Sequence, residues 1–210
     1  MEVKLLTSTA SLKDMVHNAA FAALTCHANT DKKFEPRQVL ERIIKAGHES
    51  VLEHITVTYS VKWLSRAVLQ ELARHRHISL SVESTRHTLR KFIATKRLID
   101  VTECDEDRLN FVLSFAEFAR KHPELPNDEL KYYLPEFWPT SLVLTSNVRE
   151  LRHIVKLRTA PAALKEFQEL ARKLFEAVPD EFKYLLEGCV YKAEDRWDTP
   201  KKNNSEKENE

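Results

Sequence analysis

The chain has 210 residues, which is enough for one sizeable domain with its own hydrophobic core. Its net charge is +1, so any anion site must be local, and no global basic field attracts nucleic acid. The chain has only two glycines, which excludes a glycine-rich dinucleotide motif and a P-loop. Its three cysteines are far apart in sequence and indicate neither a disulfide framework nor a zinc knuckle. With no apolar run long enough to cross a membrane, we expect a cytoplasmic protein without a membrane partner.

Alternating apolar and polar side chains predict β-strands. The pattern is clearest at 55–62, where Val57, Tyr59 and Val61 share one face. The other predicted strands are residues 1–7, 140–145 and, with a weaker pattern, 85–94, while residues 79–86 are predicted to be extended.

Apolar residues at helical spacing predict helices between these strands. Ser11 is the predicted N-cap of the first helix, and Gly47 is predicted to end the second in a left-handed conformation. Asn147 followed by Glu150 resembles a capping box at the start of a later helix. The predicted helices are residues 11–24, 36–46, 65–75, 106–121, 127–134, 147–158 and 164–175. Residues 196–210 form a charged segment that we predict to be a disordered tail.

Residues 74–86 concentrate three arginines, two histidines and three serines without a glycine. Arginine suits bidentate contact with phosphate, and clustered arginines repel one another unless an anion lies among them. If this segment is extended, Ser84 and Arg86 point the same way and suit a phosphate monoester. The alternative is a solvated basic helix end followed by a polar strand, and composition alone leaves both interpretations open.

A second polar cluster follows Gly47 and contains two histidines and two glutamates. His48 and His54 are six residues apart, which matches no helical spacing of metal ligands. We therefore predict no metal site, and the simpler interpretation is a polar turn.

Several separated motifs together resemble the flavin-dependent thymidylate synthases. The most specific is Arg74-His75-Arg76, then seven residues, then Ser84. The other motifs are, in chain order, Gly47-His48-Glu49-Ser50 with Glu53-His54, Leu134-Pro135, Asn147-Val148-Arg149-Glu150-Leu151, and Leu157-Arg158. The resemblance extends from Val3 to Tyr191, and ordered agreement of several motifs is more specific than one short pattern.

This resemblance implies the reductive methylation of dUMP to dTMP. Methylenetetrahydrofolate is the implied carbon donor, and FAD reduced by NADPH is the implied hydride source. It also implies an α+β fold, with a central, largely antiparallel sheet flanked by helices in one domain over residues 1–195. The family forms homotetramers with active sites shared between subunits, so we expect the same here.

The resemblance also implies roles for individual residues. Arg158 is the implied catalytic residue, since a fixed cation at the pyrimidine favours loss of the uracil N3 proton. The implied dUMP ligands are Glu71, Leu72, Ala73 and Arg74 from a second subunit, together with Glu83, Ser84, Thr85, Arg86, Lys131 and Arg158. The implied FAD ligands are His48, Ser50, Arg74, His75, Arg76, Val82, Asn147, Val148, Arg149 and His153.

Some positions depart from the common family pattern, and other functions stay open. The departures are Ser81, Val82, His87, Lys131, Leu164 and Gln168. They keep open a flavin- or nucleotide-binding homologue that lacks synthase activity. A nucleic-acid-binding module is a further alternative, disfavoured by the balanced net charge, and a histidine-rich metal protein is another.

Overall fold

The fold is built on a four-stranded antiparallel sheet, seen in a computed structural model that describes residues 1–26, 28–31, 33–94 and 106–192. The predicted tail and residues 193–195 lie outside these ranges. The strands are β1 (Glu2–Leu5), β2 (Thr56–Ser65), β3 (Ile78–Val82) and β4 (Pro139–Asn147), in the spatial order β1-β2-β4-β3. Helices flank this antiparallel sheet, which confirms the predicted α+β fold.

Helices fill the connections between the strands. The α-helices of the described ranges are α1 (Thr9–Thr25), α2 (Pro36–Lys45), α3 (Arg66–Leu72), α4 (Thr85–Ala94), α5 (Glu106–Lys121), α6 (Asn127–Leu130), α7 (Val148–Arg158) and α8 (Lys165–Glu176). Segments of 3-10 helix cover Glu49–His54, Lys131–Tyr133 and Asp180–Leu186. Within those ranges, no helix combines the length and apolarity needed to cross a membrane.

The caps of the first two helices are local and mostly follow the sequence. Ser8, not the predicted Ser11, is the N-cap of α1, and its Oγ accepts the amide of Ser11 at 3.2 Å. The prediction was wrong by less than one turn because two serines near the helix start can both serve as caps. Gly47 has φ +73° after α2, as predicted, and leads the chain into the turn that begins at His48.

Two hydrophobic clusters surround the sheet. The larger one covers the apolar face of β2 and β4, where Tyr59 and Leu144 are fully buried against α1, α7 and α8. The smaller one joins α4, α5 and α6 around Trp138. The predicted helix 106–121 has the observed bounds, although Leu113, expected to face inward, is 45% exposed.

A β-bulge in β2 connects the two clusters. Trp63 has φ +65°, an uncommon conformation for a bulky side chain, and the register with β4 shifts between Lys62 and Leu64. The extra residue turns Trp63 toward the smaller cluster, where its ring centroid lies 6.1 Å from that of Phe92. Leu64 stays in the larger cluster. The bulge therefore fixes the position at which β2 passes into α3.

The predicted strand over residues 85–94 is wrong, because this segment is the helix α4. The backbone amides of His87 and Thr88 both donate to the carbonyl of Ser84 at 3.0 Å. Leu89 and Phe92, three residues apart, bury one helical face in the smaller cluster. Tertiary burial of that face decides the structure, since the polar residues between them fit either periodicity.

The buried hydroxyl of Tyr59 leads to a test of the core. Tyr59 is fully buried, and its OH has no hydrogen-bond partner among the described residues. Because an unsatisfied buried hydroxyl is destabilising, we expect Tyr59→Phe to raise the free energy of unfolding by about 1 kcal/mol in urea titrations. Leu144→Ala, at the facing position of β4, is the control and should lower it by about 2–5 kcal/mol. A clearly destabilised Tyr59→Phe protein would contradict this account of the hydroxyl.

Candidate functional site

A cavity of about 610 Å³ lies where the start of α7 meets the Glu49–His54 turn. Its lining residues are Glu49, Glu53, His77, Asn147, Arg149, Glu150, Arg152, His153, Lys156, Gly188 and Cys189. The two segments that the sequence predicts to bind flavin, near His48 and near Asn147, therefore meet at one cavity. His48 and Ser50 themselves are exposed and do not belong to its lining.

The geometry of α7 is set by the strand that precedes it. β4 runs directly into the helix, and Asn147 caps it by accepting the Glu150 amide at 2.8 Å, as predicted. The Val148 amide donates to the carbonyl of Ile55 at 2.8 Å and ties the helix start to β2. Glu150 and Arg158 are eight residues apart, so helical periodicity places them on one side of α7, about two turns from each other.

His75 joins both ends of α7 to the turn after α3. Its side chain is 4% exposed, and Nδ1 lies 2.9 Å from Oε1 of Glu150. Nε of Arg158 donates to Nε2 of His75 at 3.2 Å. A guanidinium can only donate, so Nε2 carries no proton and Nδ1 donates to Glu150. Burial lowers the pKa of His75, and the charge of Arg158 adds to this against the opposing effect of Glu150. The ring is therefore neutral.

Arg158 is held by two further contacts. Its Nη1 donates to Oε2 of Glu71 at 2.7 Å, and its Cζ lies 4.5 Å from the ring centroid of Phe167. The Arg158 side chain is 16% exposed, so this charge is largely removed from water. Glu71 and Arg158, two predicted substrate ligands, thus lie together within one chain.

Two other arginines of α7 are paired with the turn that follows Gly47. Arg149 forms a 2.5 Å ion pair with Glu53, and both side chains are about half exposed. Arg152 pairs with Glu49 at 2.9 Å and also donates to the carbonyl of Leu185. These contacts place two guanidinium groups beside the cavity, each already next to a carboxylate.

The predicted phosphate site has a different geometry from the one expected. Ser84 lies at the start of α4, so it does not share one side of an extended segment with Arg86. The amide of Glu83, expected to be a ligand, instead donates to the carbonyl of Ser141 at 2.8 Å. Ser84 and Arg86 nevertheless both lie at a helix N-terminus, where the first amides have no intrahelical acceptor and favour anions.

Asp128, which the sequence analysis did not single out, connects Lys131 to this second region at the start of α4. Asp128 forms an ion pair with Nε of Arg86 at 3.0 Å and accepts a hydrogen bond from Nζ of Lys131 at 3.1 Å. Asn127 also donates to the carbonyl of Arg86 at 2.7 Å. Lys131, one of the positions that depart from the family pattern, therefore lies in the same region as Ser84 and Arg86.

The strand β3 separates the two regions. His77 lines the cavity before β3, and Glu83 follows its other end. Six residues of extended chain span about 20 Å. The cavity and the start of α4, where Ser84 lies, are therefore at opposite ends of this strand.

Some predicted ligands are unsuited to side-chain contact. Leu72 is fully buried and Val148 is 2% exposed, so both side chains belong to the larger core. Ala73, Arg74 and Arg76 are exposed around the turn after α3, and Val82 is 38% exposed at the end of β3. Both ring nitrogens of His75 are engaged within the chain, which disagrees with a ring contact to flavin.

The structure also groups His75, Glu150 and His153, whose ligand atoms lie within 4.8 Å of one another. These are metal-ligand types, but the His75 nitrogens already bond Glu150 and Arg158. A cation there would also lie beside the charge of Arg158. Sequence reasoning assigned Glu150 only to a helix cap and missed its bond to His75, which no local pattern reveals.

The chain resembles proteins of known family along most of its length. A family model described as "Thymidylate synthase complementing protein" matches residues 4–182. A flavin-dependent thymidylate synthase of Helicobacter pylori is 36% identical over 159 residues, covering 68% of this chain and 76% of that protein. One from Wolinella succinogenes is 37% identical over 184 residues, covering 80% of this chain and 90% of that protein.

Solved structures with a similar fold include members of the same family as these sequence relatives. The crystal structure of thymidylate synthase X from Helicobacter pylori with FAD and dUMP has a TM-score of 0.77 and 31% identity, covering 90% of this chain and 99% of that one. A UMP/dUMP methylase from Streptomyces cacaoi, at 20% identity and a TM-score of 0.64, shares the fold. The extent of the family match and the identity to these relatives show that the chain belongs to the thymidylate synthase complementing protein family, whose relatives named here include flavin-dependent thymidylate synthases.

Proposed function

We propose that the chain is a flavin-dependent thymidylate synthase, which methylates dUMP to dTMP. Its carbon donor is methylenetetrahydrofolate, and its hydride comes from FAD reduced by NADPH. The observation that carries this proposal is the largely buried Arg158, which His75 connects to Glu150 in the wall of the cavity where both predicted flavin segments meet. It acts in the cytoplasm, without nucleic acid or a membrane as partner.

The cavity suits a flavin nucleotide. Asn147 starts α7 at its wall, so the positive end of the helix dipole faces the cavity, and Arg149 and Arg152 add cationic groups there. A diphosphate would compete with Glu53 for Arg149, whose exposed ion pair is easily exchanged. Asn147, Arg149 and His153 would hold FAD, which when bound supplies the hydride.

Arg158 has the role of a preorganised cation at the pyrimidine. Its guanidinium is already dehydrated and oriented, so little reorganisation is needed when the uracil ring becomes anionic. A cation near the ring favours loss of the N3 proton and thereby increases electron density at C5, where the new carbon bond forms. No protein nucleophile is then required.

The phosphate of dUMP binds at the start of α4. Ser84 and Thr85 contribute hydroxyls and first-turn amides, while Arg86 and Lys131 contribute positive charge. Both cations are held by Asp128, so a phosphate dianion replaces one carboxylate as their partner.

The active site is shared between subunits of a homotetramer. The separation of about 20 Å between the two ends of β3 supports this division, because the cavity lies at one end and Ser84 at the other. One chain supplies Glu71 to Arg74 and Arg158, which lie together. Another chain supplies Ser84 to Arg86.

The function is tested with purified protein and the Arg158→Ala variant. Wild-type protein reconstituted with FAD should stay yellow after gel filtration and form dTMP from dUMP, methylenetetrahydrofolate and NADPH. Arg158→Ala should retain FAD absorbance but lose about 100-fold in turnover, because a transition-state cation is removed. Product formation and visible absorbance are measured on the same samples.

Arg37→Ala is the matched control, since Arg37 forms an exposed ion pair with Glu41 away from the cavity. It should change neither flavin content nor turnover. A yellow wild-type protein that forms no dTMP would be a flavin-binding homologue without synthase activity. Full turnover in flavin-loaded Arg158→Ala would remove Arg158 from the chemistry.

Ser84→Ala tests the phosphate site against a nucleophilic role. Loss of one hydrogen bond to a charged group costs about 1.5–3 kcal/mol, so we expect dUMP affinity to fall roughly 10- to 100-fold. Turnover at saturating dUMP should largely survive. Titration of dUMP in steady-state assays separates KM from kcat. Normal dUMP binding combined with no turnover would instead identify Ser84 as a nucleophile.

Site sharing is tested by mixing inactive variants. Hybrids of Arg86→Ala and Arg158→Ala should recover roughly a quarter of wild-type activity after reassembly, since each site combines parts of two chains. The assay uses a dUMP concentration that saturates only the wild type. Hybrids of Arg74→Ala and Arg158→Ala are the control and should not recover, because both residues belong to the same half of the site. Equal recovery in both mixtures, or in neither, contradicts this division.

A further inference from the structure

His75 is the centre of a buried hydrogen-bonded array that the proposed chemistry does not yet use. Its two nitrogens contact Glu150 at 2.9 Å and Arg158 at 3.2 Å. Its ring packs edge-on against Phe167, with centroids 6.2 Å apart. Arg158 stacks on the same Phe167 ring and bonds Glu71. The array therefore connects α3, both ends of α7 and α8 around one guanidinium.

We propose that His75 is a positioning residue for Arg158, which it orients by accepting a hydrogen bond at Nε2. This inference rests on the proposed synthase function, because it says which residue orients the proposed catalytic cation, Arg158. It differs from the role that the family resemblance implies for His75, which is contact with flavin.

Each contact restricts a different rotation of the Arg158 guanidinium. Stacking on Phe167 fixes the plane of the guanidinium but permits rotation within that plane. Glu71 grips only Nη1, and its own side chain is 30% exposed. The bond from Nε to His75 adds a second fixed point, so the in-plane rotation stops. Nη2, which makes no hydrogen bond within the described part of the chain, is then free to meet a ligand.

Glu150 determines which nitrogen of His75 is available to Arg158. Its carboxylate accepts the Nδ1 proton, so Nε2 keeps its lone pair directed at Arg158. The backbone amide of Glu150 is itself held by Asn147, which places the carboxylate rigidly at the first turn of α7. A doubly protonated ring would remove the acceptor and set a like charge beside Arg158.

Two amide substitutions separate the functions of the two ring nitrogens. The side-chain amide of a glutamine at this position reaches the place that Nε2 of the histidine ring occupies. The shorter side-chain amide of an asparagine reaches only the place that Nδ1 occupies. His75→Gln can therefore still accept from Arg158 through its carbonyl oxygen, whereas His75→Asn keeps only the contact to Glu150. We expect kcat to fall about 10- to 100-fold in His75→Asn and by less than about threefold in His75→Gln, both with bound FAD.

His122→Asn is the matched control. His122 pairs with Glu124 at the same 2.9 Å through Nδ1, but it lies at the end of α5, outside the cavity lining. It should leave kcat and flavin content unchanged. Equal loss of kcat in His75→Asn and His75→Gln, with flavin retained, would overturn the proposal, because acceptance at Nε2 would then not matter.

A second measurement does not depend on synthase activity. Thermal unfolding midpoints are compared for wild type, His75→Asn, Arg158→Ala and the double variant. If His75 acts through Arg158, His75→Asn should lower the midpoint less when Arg158 is already alanine. Additive shifts would overturn the contact. If wild-type protein forms no dTMP, the proposed function fails, and this cycle alone decides whether His75 holds Arg158.

Discussion

The compensation of one largely buried charge determines the arrangement of the site. Removing a guanidinium from water costs several kcal/mol unless hydrogen bonds and a counter-charge replace the solvent. For Arg158 the replacements are the carboxylate of Glu71, the lone pair of His75 and the face of Phe167. These residues lie on α3, the turn after it and α8. The packing of those elements against α7 is therefore coupled to the position of a single cation.

The sheet separates the two regions in which the proposed substrate ligands lie. β3 is short and runs between the cavity at its start and α4 at its end. It pairs only with β4 in the described sheet, so it lies at the edge. A substrate with a charged phosphate at one end and an ionisable ring at the other needs cations at both ends. In the proposed shared site, symmetric association would bring cations from two chains to one substrate.

Four arginines of the two regions share a common feature. Each has a carboxylate partner within the chain, with Arg149 on Glu53, Arg152 on Glu49, Arg86 on Asp128 and Arg158 on Glu71. The two exposed pairs, those of Arg149 and Arg86, contribute about 0–1 kcal/mol, so an anionic ligand can exchange with them at small cost. This pairing also explains how a chain of net charge +1 offers several anion-binding positions. The acids keep the arginines in place and limit repulsion between them.

The sequence by itself determined most of the secondary structure and the family, and it predicted the site residues that follow from local pattern. The strand at Tyr59, the left-handed Gly47 and the Asn147 cap follow from alternation, glycine conformation and side-chain capping, which act over a few residues. Motif order was sufficient to find the arginines. It also grouped the two flavin segments, although it did not show that they meet at one cavity.

Only the tertiary structure decided the helix α4, the bulge at Trp63 and the array around His75. Residues 85–94 fit two periodicities, and burial against α5 selects the helix. Glu150 and His75 are 75 residues apart, and Arg158 and Glu71 are 87 apart, so no spacing rule links them. Hydrogen-bond partners at such separations are chosen by how the sheet and helices pack, because that packing alone brings the atoms within reach.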